Sequence, residues 1–100
     1  MEVWKWYLTM PGEAQVLDVP RGTQLLTAQI QDRRLCVWGA CDPAMPKVQR
    51  ILDVVGTGWV LPDPASLRRH ISTVQHVKAE LVWHVFERWP VSQPIEMHVI

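Results

Sequence analysis

The chain has 100 residues, 48% of them hydrophobic, with ten basic and ten acidic side chains. That length suits one core, and the hydrophobic share excludes intrinsic disorder, which needs low hydropathy and a large net charge. A formal net charge of zero argues against nonspecific nucleic-acid binding unless the charges segregate, and it leaves little repulsion against forming a homo-oligomer.

Val3 to Leu8 (VWKWYL) is β-branched and aromatic, the profile of a strand. Met10-Pro11-Gly12 interrupts it, and Ala14 to Val19 (AQVLDV) reads as a second strand, stopped by the turn Pro20-Arg21-Gly22. So short a break predicts that the two strands pair as a hairpin. From Gln24 to Ile30 the residues alternate, with Leu26, Ala28 and Ile30 predicted on one face and Thr27, Gln29 and Gln31 on the other. Asp32-Arg33-Arg34 predicts a turn, without the glycine of the best hairpin signals. Leu35 to Cys41 (LCVWGAC) is apolar on both faces, which predicts a central strand. The two prolines of Asp42-Pro43-Ala44-Met45-Pro46 forbid helix and ladder alike.

Gln49 to Val55 fits two patterns. Val48, Ile51, Leu52 and Val55 form a helical stripe, but Ile51, Val54 and Val55 are β-branched, and the strand is favoured. Any helix is expected to be short and confined to 44–55 or 64–69. Gly56-Thr57-Gly58 reads as a turn, and Leu61-Pro62-Asp63-Pro64 as a rigid loop. Leu67 to Val77 is two-sided, with Leu67, Ile71 and Thr73 set against His70, Val74 and His76; Lys78-Ala79-Glu80 then reads as a turn. Leu81 to Glu87 (LVWHVFE) alternates most strongly. The large apolar area of Trp83 puts it in the core with Leu81 and Val85, leaving Val82, His84 and Phe86 opposite. These last two strands are expected to form a second hairpin. The organisation expected is a β domain over residues 1–88 and an extension or arm over 89–100. Seven candidate strands with short turns predict an all-β fold, an antiparallel sandwich or partly open barrel.

Residues that carry chemistry are present without the spacing that chemistry needs. Cys36 and Cys41 on one strand would lie on opposite faces, about 16 Å apart at roughly 3.3 Å per residue, too far to bond. Neither these nor His70, His76, His84 and His98 show the close pairs of a zinc site, so free thiols and no metal are expected. Ser66, Ser72 and Ser92 lie in no nucleophile elbow, and Gly56-Thr57-Gly58 is too short for a phosphate loop. Asp18, Asp32, Asp53, Asp63 and Glu80 read as solvated residues of turns and strand ends. Arg68 and Arg69, neighbours on a strand, point to opposite faces and make no joint patch. No enzyme and no cofactor is expected. Met1-Glu2-Val3-Trp4 lacks the basic start and apolar run of a signal peptide, and no stretch has the roughly 20 apolar residues of a membrane span, which predicts an intracellular protein.

Arg50 to Leu61 (RILDVVGTGWVL), His70 to Gln75 (HISTVQ) and Leu81 to Glu87 (LVWHVFE), preceded by VWKWYL, LLTAQIQ and CVWGACDP, resemble a family of small proteins of tailed bacteriophages and prophages, itself of unknown function. The resemblance spans residues 3 to 87. It departs at Lys78-Ala79-Glu80, where that family usually has glycines, and from Arg88 on. It implies an all-β fold and a place in the cytoplasm of an infected bacterium, with no catalytic residue to carry over. Small phage products without catalytic motifs commonly bind a host protein, including proteins of antiviral defence. A phage structural or assembly component and a small-ligand or nucleotide-binding module are the alternatives. Six tryptophans, Trp4, Trp6, Trp38, Trp59, Trp83 and Trp89, exceed the needs of so small a core, and tryptophan is enriched at binding hot spots. Trp59, between the glycine turn and a proline loop, and Trp89, just before Pro90, are the candidate protein-binding residues.

Overall fold

A computed structural model describes residues 1–61, 63, 67–76 and 80–88. They form seven strands: β1 (Glu2–Leu8), β2 (Gly12–Pro20), β3 (Gln24–Gln31), β4 (Arg34–Cys41), β5 (Lys47–Gly56), β6 (Arg68–Gln75) and β7 (Val82–Arg88). One sheet runs β1-β4-β3 and the other β2-β5-β7-β6. Each pairing is antiparallel. The fold is an all-β sandwich, and the described residues contain no helix, so none is long and apolar enough to cross a membrane. The 49–55 segment is strand, inside β5.

Alternation builds the core. β4 is the middle of its sheet and turns Leu35 and Val37 inward; β5 and β7 supply Leu52, Val54 and Val85, and β2 supplies Val19, all fully buried. Burial of side chains of this kind contributes about 1.5–3 kcal/mol each. β3 and β4 join through Asp32-Arg33, with φ of 51° and 67°. This is a two-residue turn with both residues left-handed, the hand that matches strand twist. Arg34, read as a turn residue, is already in β4.

The pairing expected of the first two strands does not occur. β1 pairs with β4 and β2 with β5, so the chain crosses from one sheet to the other between them. The crossing is held by a side chain rather than a ladder. Thr9 N–H donates to Gln15 Oε1 at 2.7 Å, and Gln15 Nε2 donates to the carbonyls of Thr9 (2.9 Å) and Gly12 (3.1 Å).

Two bulges correct the predicted facings. One lies between Leu25 and Thr27. It puts Leu25 in the core and leaves Leu26, expected inside, 47% exposed. The other lies between His70 and Ser72. It turns Ser72 and Val74 inward and sends Thr73 out beside His84, while Leu67 is exposed ahead of the strand. An extra residue reverses the facing of every later side chain in its strand. In β7, Trp83 and Val85 are in the core as expected, but Leu81 precedes the strand and is exposed.

Both bulges lie on strands that meet. β3 and β6 are the edges of different sheets and come together at one side of the sandwich. There Ser72 Oγ accepts the Ala28 N–H at 2.8 Å and lies 3.2 Å from Thr27 Oγ1.

Candidate functional site

At the end of the sandwich where β5 stops, Gly56 lies directly opposite Trp83 of β7. A tight turn follows: Trp59 N–H donates to the Gly56 carbonyl at 3.1 Å, and Thr57 N–H to the Val82 carbonyl at 3.3 Å. Gly58 has φ of +86°, a conformation open to glycine at little cost. The turn folds the Trp59 ring back over Gly56. There it meets Trp83 edge to face, with centroids 5.6 Å apart and planes at 88°. The seat depends on the missing side chain, because a Cβ on Gly56 would stand 3.0 Å from Trp59 Cε2. Trp83 is buried and its Nε1 has no hydrogen-bond partner. Trp59 caps it while keeping 51% of its own surface exposed, and Val60, the next residue, is 88% exposed.

Hydrogen bonds fix this turn to the outward face of its sheet. Thr57 Oγ1 lies 2.7 Å from His84 Nε2, Thr73 Oγ1 lies 3.1 Å from His84 Nδ1, and His70 Nε2 lies 2.9 Å from the same Thr73 hydroxyl. A neutral imidazole has one donor and one acceptor nitrogen, so protons can be ordered along the chain in either of two opposite directions, set by the His84 tautomer. Chemically it can relay a proton. Structurally it ties the Gly56–Trp59 turn to β7 and β6. His70 also packs edge-on against Phe86, at 5.5 Å between centroids.

Two carboxylates stand among arginines farther along. Asp53 is fully buried in the middle of β5, against the expectation of a solvated turn residue. Its oxygens accept from Arg88 Nε (2.8 Å) and Nη2 (3.0 Å), Arg68 Nε (3.0 Å) and Ala14 N–H (2.8 Å). Burial alone would push its carboxyl up, but the bonds from Arg88, Ala14 and Arg68 outweigh it and hold it below the usual aspartate range. Glu87 points to the inner side, where Arg50 grips it in a two-pronged pair and Arg69 reaches it at 3.3 Å. Arg50 also donates to the Thr23 carbonyl at 2.8 Å, tying this sheet to the start of β3. Arg68 and Arg69 thus serve opposite faces, as alternation requires.

A family pattern described as a domain of unknown function, DUF7352, matches residues 1–96. The chain belongs to the DUF7352 family. Comparison with curated proteins and with solved structures returned no match.

In this DUF7352 domain, Cys36 and Cys41 are free and fully buried. Burial pushes the Cys41 thiol up, with Glu2 adding to the effect. No three of His, Cys, Asp and Glu come together as metal ligands among the described residues. Of the two predicted contact residues, Trp59 is at the Trp83 end and Trp89 lies outside the described residues. Sequence reasoning missed both carboxylate clusters. A signal was present: Asp53 interrupts the apolar run Ile51 to Val55, and Glu87 shares the parity of Trp83 and Val85.

Proposed function

We propose that this domain acts without catalysis, by stoichiometric contact with a protein partner, and that the partner is a host protein bound by a bacteriophage accessory protein, with antiviral defence as the target class. One observation carries the contact: Trp59 is held in place by Trp83 and the Gly56 seat, yet half its surface is free. An aromatic fixed in advance loses little freedom on docking, and buried tryptophans dominate interface energetics. Val60, exposed beside it, extends the apolar contact. The phage setting rests on the resemblance of the LVWHVFE and HISTVQ segments alone. Trp89 belongs to the same reading by its place in the sequence.

The test is capture of partners from bacterial lysate by the tagged chain, with melting followed in parallel. Trp59→Ala should lose the partner and melt a few degrees lower, since it uncovers Trp83. Val60→Asp should lose the partner with an unchanged melting temperature. Retention of the same partner by both variants would remove this end of the molecule from the function.

A further inference from the structure

We propose that the outward face of the β1-β4-β3 sheet is a platform for single-stranded nucleic acid. The cross-strand register lays this face out in rows: Val3, Ala40 and Gln24; Lys5, Trp38 and Thr27; Tyr7, Cys36 and Gln29; then Arg34 and Gln31. Contacts across the strands agree. Lys5 Nζ donates to Gln31 Oε1 at 2.8 Å and lies 5.2 Å from the Tyr7 ring centre. The Arg34 guanidinium lies 3.5 Å over the same ring. Tyr7 is 48% exposed, and Trp38 is partly exposed in the middle strand.

The chemistry of this face is that of a base-stacking surface. Aromatic rings and a guanidinium offer planes for bases, cations sit at the margins for phosphates, and amides can meet base edges. Charge supports an anionic occupant over a peptide. The three strands contain a single carboxylate, Glu2, and it turns to the other side to accept from Trp4 Nε1 at 2.7 Å. Asp32 stands beyond the strands, in the turn beside Arg33. The charged side chains of the face itself are thus Lys5 and Arg34, both cationic, a local segregation of charge within a neutral chain. Exposed rings stack on unpaired bases, which a duplex keeps within its own stack, so the expected ligand is a single strand, contacted over about two or three bases, as on other sheets of this kind.

This proposal is independent of the Trp59 end. Fluorescence anisotropy of the full chain with labelled oligothymidine, oligouridine and a duplex of equal length tests it. At about 50 mM salt the single strands should bind and the duplex should bind far more weakly. The slope of log K against log salt should be about −1.4 to −2.1, for two or three phosphates at roughly −0.7 each. Tyr7→Ala should weaken binding about tenfold, within the range for losing one stacked base, and Lys5→Glu with Arg34→Glu should abolish it. Trp59→Ala should leave it unchanged. Absence of binding at low salt, equal binding of the duplex, or full affinity in the folded Lys5→Glu/Arg34→Glu variant would overturn it. So would a dimer in sedimentation that Tyr7→Ala dissolves, which would assign the face to self-association.

Discussion

Asp53 shows how one side chain makes this fold depend on acidity. Its carboxylate has no solvent contact and two half-buried arginines on it, so a neutral amide there would remove the charge that Arg68 and Arg88 share. Breaking a buried pair in this way costs about 3–5 kcal/mol. Asp53→Asn should lower stability by that amount in urea unfolding at neutral pH. The folded carboxyl titrates below its unfolded value, so its stabilisation is complete above the ordinary aspartate pKa of about 3.9 and is lost as pH falls through the folded value. The gap between wild type and Asp53→Asn should therefore narrow in acid. A constant gap down to full acid unfolding would mean that this carboxylate is not the titrating group.

At the scale of elements, the β3–β4 hairpin carries a local conflict between residue type and backbone. Arg33 has φ of 67°, where a side chain with a Cβ is disfavoured by roughly 1–2 kcal/mol, partly offset by the freedom glycine loses on folding. Arg33→Gly should thus stabilise the domain by about 0.5–1 kcal/mol, raising the melting temperature by a few degrees in calorimetry. The strands themselves were legible. Period-2 patterns, as in LLTAQIQ and LVWHVFE, with proline-glycine or charged breaks between them mark all seven, because turns and strand propensity are local properties. Partners were not. The alternation in residues 3–19 does not say that β1 and β2 belong to different sheets, since that is decided by the strands farther along with which they pair. Bulges hid the facings of Leu26 and Thr73, because one extra residue leaves composition unchanged while inverting alternation. The site was half legible. Trp59 announced itself by its place after a glycine turn, whereas Asp53 is satisfied by arginines 15 and 35 residues away.

For the molecule as a whole, the two sides of the sandwich differ. On one, β3 and β6 close against each other through Ser72. On the other, β1 and β2 end their sheets and barely touch. β1 is free of proline and bulges and pairs only with β4 among the described residues. Its sequence Val3-Trp4-Lys5-Trp6-Tyr7-Leu8 would template fibril growth but for one residue. Lys5, exposed at the centre of that strand, is the gatekeeper. A second copy docking strand to strand would crowd its ammonium and strip its water. Lys5→Val should leave the monomer fold intact yet produce concentration-dependent light scattering and thioflavin binding on storage, where wild type stays clear. The charge that would meet a phosphate on one face thus also sets the solubility of the chain.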